Sequence, residues 1–366
     1  MNRKIVLAIT FVSLIVIVLF AAFAGKKRAL AENEETTSAI IEVPSNLTEE
    51  AATTEISEEG NPIRDGHYNP LTGLFSEEDL TNKRPIVVMF DNFYAARPQA
   101  GLAKADIVYE ILAEGLITRY MGVFYGTQPD YIGPVRSSRP YFVIKALEFD
   151  PYYVHVGGSM KALSDIKKYE MADIDGLSSG AYWREKHKKA PHNVYTSSEI
   201  LLKDAKRMGY RETSTFSFMD FHASLMVPVG EDATEITFVY KEPTQTDKIG
   251  YNTSYKYNDE EKLYYRYTNG KPHLDEDTKE HLTCTNILVQ YAKTVVIDNE
   301  GRLDIDLITT GKGKYYTAGK VLEVTWKKTT ANDPTFFYDE SGQEIKLNPG
   351  VTWIQVVKTG NVESIK

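Results

Sequence analysis

The chain has 366 residues, of which 42% are hydrophobic and 25% charged, so it can build two domains of ordinary size with packed cores. A net charge of -9 argues against a nucleic-acid partner, because a phosphate backbone demands a basic face. The lone cysteine, Cys284, excludes an internal disulfide and, without further cysteines, a cysteine-based metal site.

The first element is an apolar, uncharged run over residues 5–24, between Arg3-Lys4 and Lys26-Lys27-Arg28. As a helix it is about 30 Å long and matches the thickness of a hydrocarbon core. Residues 1–31 therefore read as a signal anchor or a signal peptide. The run exceeds a usual signal core, which favours an uncleaved single-pass anchor; cleavage would release a secreted protein. Residues 32–64 follow as an acidic linker. From Glu32 to Ile63 there are nine glutamates, no lysine or arginine and no aromatic residue. Such a composition cannot bury enough apolar surface to offset its ordering entropy, so disorder is expected. Anchor, spacer and globular part together describe a bacterial cell-envelope protein whose folded portion lies outside the membrane.

Residues 65–212 are expected to form an α/β layered domain. Ser76-Glu77-Glu78-Asp79 has the form of a capping box on a short helix. Pro85–Phe90 is a continuous apolar run, the pattern of a fully buried strand, and it ends in Asp91-Asn92. Ala105–Ile111 and Ile117–Tyr125 read as two more strands. The octet Gly133-Pro134-Val135-Arg136-Ser137-Ser138-Arg139-Pro140 then leads into a helix over Tyr141–Leu147. Pro140 suits its first turn, and Ser138 or Ser137 its cap. Tyr152–Val156 is a buried strand, followed by Gly157-Gly158-Ser159 and a helix over Met160–Tyr169. Thr196 and Glu199 fit a capping box on a helix ending near Gly209.

Residues 213–366 are rich in Tyr, Thr and Val with turn punctuation, and a mostly antiparallel β domain, sandwich or barrel, is expected. Leu263–Tyr267 followed by Asn269-Gly270 predicts a hairpin. Strands are expected over Asn286–Ile297, Leu303–Thr309, Val321–Lys327, Phe336–Asp339 and Val351–Val357. Gly311-Lys312-Gly313-Lys314 reads as a charged turn, and Trp326 and Trp353 as sheet core. The overall class is α+β.

An ordered set of motifs resembles one family. Arg84-Pro85 with Asp91-Asn92, Arg97-Pro98-Gln99 with Gly101-Leu102, Ala105–Glu110, Thr118-Arg119, the octet, Gly157-Gly158-Ser159 and Pro191-His192-Asn193 are similar to the N-terminal domain of YerB-like bacterial lipoproteins. Tyr264, Arg266, Asn286, Gly311-Lys312-Gly313, Gly319-Lys320, Thr325-Trp326 and Gly350-Val351-Thr352-Trp353 are similar to their C-terminal domain. The resemblance covers most of the chain after the linker and implies an envelope location, two domains and no known activity. Unlike many of those relatives, this chain has no cysteine near residue 31 for lipidation, so the apolar run is expected to anchor it or to be removed. A fainter likeness, of element order and residue type alone, is to LytR-CpsA-Psr enzymes. These transfer polymers from polyprenyl pyrophosphate carriers with arginines on phosphates and aspartates near magnesium.

The chemistry concentrates at expected strand ends. Arg97, Arg119, Arg136 and Arg139, with Ser138, Gly158 and Ser159, are candidates for an anion site, since arginine presents a planar fork to phosphate or carboxylate. The bland reading pairs these arginines with Asp91, Asp106, Glu110 and Glu114. Asp91 and Asp106 are candidate ligands for Mg²⁺, a cofactor expected only if the protein is a phosphotransferase or hydrolase. His155, His192 and Asn193 are further candidates, including a His155–Ser159 pair. No zinc motif, phosphate loop or dinucleotide fingerprint is present. The favoured reading is a non-catalytic envelope protein that binds an anionic wall polymer, a lipid-linked precursor or an envelope protein. The alternative is a phosphotransferase or hydrolase acting on a polyprenyl-pyrophosphate-linked precursor.

Overall fold

Runs of apolar residues without alternation need cover on both faces, and the fold supplies it. In a computed structural model that describes residues 66–246 and 248–366, strand β1 (Ile86–Phe90) is buried along its whole length. So is β2 (Ile107–Leu112), and nearly so β3 (Thr118–Phe124). The expected anchor over residues 5–24 and the acidic linker lie outside the described residues. Among the described residues, no helix is long and apolar enough to cross a membrane.

Helix α1 (Pro140–Ala146) follows β3. Strand β4 (Tyr152–His155), helix α2 (Met160–Lys168), β5 (Ala172–Asp175) and helix α3 (Ser198–Arg207) complete the first half. The second half is β-rich. It runs through β6 (Glu235–Lys241), β7 (Tyr251–Asn258), β8 (Leu263–Thr268), β9 (Asn286–Ala292), β10 (Thr310–Thr317), β11 (Lys320–Lys327), β12 (Thr352–Lys358) and β13 (Val362–Ile365). The fold is mostly β with few helices.

Both halves share one eleven-stranded sheet. Its order is Glu231–Asp232, β11, β10, β9, β12, β2, β3, β1, β4, β5, with Phe336–Tyr338 also on β11. The seam is β12 against β2, a parallel pair in register from Thr352↔Ile107 to Val356↔Ile111. A smaller sheet, ordered Lys271–Pro272, β8, β7, β6, β13, covers one face. Helix α1 covers the other, where Lys145 lies over the Tyr109 ring and Phe149 meets its edge. The described residues form one compact unit. The expected division at 212/213 falls in an irregular stretch between α3 and β6.

A buried ion pair pins the two sheets together. Arg266 Nη2 donates to Glu110 Oε2 at 2.6 Å, and both residues are 1% exposed or less. Arg266 also donates to Thr268, Thr253, Tyr120 and Tyr255 and stacks 4.2 Å over Trp353. Glu110 accepts from Thr118 Oγ1 at 2.7 Å and from Thr253 Oγ1. Every charge in this core therefore has a partner, which a buried charge requires. Trp326 and Trp353 are each 1% exposed, as core residues should be.

Several local expectations are corrected. Phe75-Ser76 is a two-residue strand, not the start of a helix; Asp79 instead accepts from Thr81 N, closing a turn. The cap of α3 is Ser197, whose hydroxyl accepts from Ile200 N, because Thr196 Oγ1 is committed to Ala181 O. Gly311–Lys314 is no turn but lies within β10. A Cβ on Gly311 would sit 2.7 Å from the Trp326 ring, and one on Gly313 would sit 2.4 Å from Val289 O. Glycine is there for close approach across the sheet. The strand pairs of the second half are mostly antiparallel, as expected, with the parallel pair β9 and β12 the exception among the described residues. Asn269 (φ 50°) and Gly270 (φ 73°) do form the expected hairpin turn.

Candidate functional site

Strands β1, β4 and β5 run parallel, so their C-terminal ends share one edge of the sheet. Ligands in open α/β sheets sit at such an edge, where neighbouring strands part. Here the parting is filled by the octet. Beyond Val88↔Val154, it takes over the hydrogen bonds of both strands. Arg136 N donates to Met89 O and Asp91 N to Pro134 O on one side. Val156 N donates to Arg136 O and Ser138 N to Gly157 O on the other. The octet is thus a splint, extended rather than helical, and Pro140 opens α1 as expected. The cap of α1 is Arg139 without a side-chain bond; Ser138 Oγ instead pairs with the buried Tyr153 hydroxyl at 2.6 Å.

The predicted residues separate into three groups. In the first, Arg139 and Arg119 converge on Glu114, Arg139 through two nitrogens and Arg119 at 3.5 Å. Burial would raise the Glu114 carboxyl, but the Arg139 hydrogen bond and both arginine charges hold it below its usual range. Burial pulls the Arg119 guanidinium down to about 10. These arginines spend their charge on a protein carboxylate. A pocket of about 290 Å³ opens beside them, lined by Ser137, Arg139, Gly158, Ser159 and Arg302 together with the carboxylates of Glu114 and Glu300. It continues into a cleft of about 870 Å³ between α1, α2 and the Thr294–Val296/Leu303–Ile305 ribbon.

In the second group the side chains are structural. Ser159 Oγ caps α2 by accepting from Ala162 N. His155 is wholly buried, its Nδ1 2.9 Å from Gly157 O and its Nε2 3.4 Å from Asp173. The His155–Ser159 pair is therefore not formed. Asn193 bridges Arg184 Nη1 and Glu185 O. Arg97 lies on the far side of the strand end, its Nε on Asn92 Oδ1 and its guanidinium over Tyr251.

The two aspartates do not share an ion. Through β3, Phe90 is level with Glu110, and Val87 with Ile107. Asp91 and Asp106 thus stand at opposite ends of the sheet, about 17 Å apart at the rise of an extended strand. Asp106 accepts from Asn69 Nδ2, Tyr125 N and Gly126 N; burial nonetheless raises its carboxyl. Among the described residues, no group of three or more His, Cys, Asp or Glu is placed to hold a metal.

The third group is what remains. Asp91 is 3% exposed. Its Oδ1 accepts from Phe93 N at 2.9 Å, while Oδ2 lies 2.6 Å from His192 Nδ1 and 3.4 Å from Arg136 Nε. The imidazole is clamped by stacking on Phe93, centroids 4.5 Å apart and planes 10° apart. Arg136 is about a third exposed, and among the described residues its side chain meets a polar partner only through that Nε edge, so its terminal nitrogens are unpaired. Behind this site runs a polar relay that sequence reading missed. Arg266 donates to His273 Nδ1, so the neutral ring donates from Nε2 to Gln99 Oε1 at 2.9 Å. Burial and the Arg266 charge push His273 well below its usual range, in keeping with that neutral form. Gln99 Nε2 then donates to Asp91 O. On the flank, Lys188 holds Ala96 O, Pro98 O and Glu276. Glu276 belongs to the second half, and no local sequence pattern links it to Lys188.

Known proteins share this architecture. The family described as a protein of unknown function, DUF3048, matches through its N-terminal domain over residues 71–211 and its C-terminal domain over 244–354. The Bacillus subtilis (strain 168) protein named "Putative lipoprotein YerB" is 35% identical over 298 residues, covering 81% of this chain and 88% of that protein. The crystal structure of YerB from Bacillus subtilis superposes with a TM-score of 0.74 at 33% identity, covering 81% of this chain and 99% of that one. By domain content, sequence and fold, the chain belongs to the DUF3048 family that includes YerB.

Proposed function

We propose that this is a membrane-associated protein of the cell envelope, working outside the cytoplasm, and that it binds an anionic ligand at Arg136 and His192. The lipoprotein name of its relative and the apolar run over residues 5–24 support the location. The ligand reading is carried by one observation: among the described residues Arg136 meets Asp91 only edge-on, leaving its terminal nitrogens unpaired beside the His192 imidazole. Arg119 and Arg139, by contrast, both turn to Glu114. The ligand class is a phosphate- or carboxylate-bearing envelope component. Calorimetric titration of the full chain with inorganic pyrophosphate tests this. A charged hydrogen bond contributes about 1.5–3 kcal/mol, so Arg136→Ala should weaken binding by about 10- to 150-fold, while Arg139→Ala leaves it near wild type. Equal affinity for wild type and Arg136→Ala would sink the assignment.

A further inference from the structure

We propose that Asp91 and His192 form an acid–base pair that hydrolyses a phosphate ester held on Arg136. The proposal rests on the anion site above and adds an activity to it. Its basis is the state of one histidine among seven. His155 and His273 are sealed in the interior, and His187 and His281 give Nε2 to Glu276 and to Arg266 O. His67 and His222 lack a hydrogen-bonded carboxylate: the His67–Asp79 contact is 3.7 Å and solvent-exposed. Among the described residues, only His192 combines a carboxylate on Nδ1 with an Nε2 that has no hydrogen-bond partner.

The carboxylate is built to hold that state. Asp91 accepts the Nδ1 proton, which fixes the tautomer and leaves the Nε2 lone pair as the base. Asp91 is itself fixed by Phe93 N on its other oxygen and by Gln99 and the octet on its backbone. The ring cannot swing, because Phe93 stacks on it. Arg136 Nε and His192 Nδ1 approach the same oxygen at 3.4 and 2.6 Å, so one small ester reaches both side chains. A strut between the end of β1 and the 185–193 loop would need the Asp91–His192 bond but not an open Nε2, nor an arginine with unpaired terminal nitrogens.

The step needs only water as co-reactant. The water oxygen attacks phosphorus while His192 Nε2 takes its proton. The bond from phosphorus to the ester oxygen breaks, and the proton on His192 passes to that oxygen. One ester and one water become one phosphate and one alcohol, and the imidazole returns neutral. Arg136 faces the charge that builds on the phosphoryl oxygens. Asp91, Arg136 and the nearby Lys188 are the charged groups around the ring.

The full chain, assayed with p-nitrophenyl phosphate and bis(p-nitrophenyl) phosphate, should release p-nitrophenolate above the buffer rate. General-base catalysis contributes about 10²–10⁴-fold, so His192→Gln should lose at least about 100-fold, whereas His187→Gln should not. Pyrophosphate binding, read calorimetrically, should weaken far less in His192→Gln than in Arg136→Ala. Added imidazole should restore turnover to His192→Ala, which a merely structural histidine would not allow; thermal melts confirm that each variant is folded. Binding of pyrophosphate by wild type with no turnover of either ester would overturn the catalytic proposal and leave the anion site standing. Absence of binding would overturn both. Turnover that survives His192→Gln, or is not rescued by imidazole, would assign it elsewhere.

Discussion

The Arg266–Glu110 pair makes a sharp prediction about how the two halves of the chain are held. Arg266→Met removes the cation, the five donors and the stacking on Trp353, but keeps much of the volume. Glu110 is then a buried carboxylate with only the Thr118 and Thr253 hydroxyls to donate to it. Breaking a buried pair from one side costs about 3–5 kcal/mol, because the remaining charge is uncompensated. At about 2–4 °C per kcal/mol for a protein of this size, the thermal midpoint should fall by about 6–20 °C. Since Glu110 lies on β2 and Arg266 on β8, the loss should appear as one cooperative shift of the whole unit, seen alike by calorimetry and far-ultraviolet circular dichroism. The double change Arg266→Met, Glu110→Leu removes both charges and should recover most of the loss. A fall below about 1 kcal/mol for the single variant, or no recovery in the double, would refute the reasoning.

Other outcomes follow from single contacts. Ser159→Ala deletes the cap of α2 and should cost about 1 kcal/mol in a denaturant midpoint measurement. Gly313→Ala places a methyl group 2.4 Å from Val289 O inside the sheet, and should destabilise well beyond the cost of an ordinary surface change, read by thermal melting. Glu114 and Glu148 are both held below their usual range in the folded state: burial opposes this, but Arg139 and Arg119 prevail at Glu114, and Lys145 and Lys328 at Glu148. A carboxyl lowered by folding gives stability that is fully present above its unfolded value, near pH 4.5, and lost as pH falls through the folded value. Urea midpoints should therefore drop on acidification below about pH 4.5, and Glu114→Gln should flatten part of that drop.

The strands of the first half were legible because a two-sided sheet leaves its mark as apolar runs, unbroken at 86–90 and interrupted only by Glu110 at 107–112. The hairpin at Asn269-Gly270 was legible because few other pairs tolerate its backbone. The caps were read one or more residues off, since Ser138 and Thr196 have interior partners that only the fold supplies. The glycines at 311 and 313 read as a turn because close approach across a sheet and positive φ use the same residue. Arg266 could have been found by parity. It shares a face of Leu263–Thr268 with Tyr264 and Thr268, and all three are buried. Its partner, 156 residues away, could not. At the site, Asp91, Arg136 and His192 were each visible as candidates, but not that they meet while Arg119 and Arg139 are turned inward to Glu114. That difference rests on long-range register, which no local spacing records.

Strand β12 sits near the chain's end yet near the middle of its largest sheet, between β9 and β2. A chain made from its N-terminus therefore displays the β2 edge, with its unpaired backbone groups and apolar faces, until residues 352–358 arrive. The final folding step is an insertion rather than an addition at a rim, with pairings separated by some 245 residues, as Thr352 with Ile107. Non-local closure of this kind is slow and leaves an exposed template for foreign strands. The sheet cannot lock before residues 352–358 take their place between β9 and β2. Loss of even the final fifteen residues would leave a slot in the interior, not a frayed end.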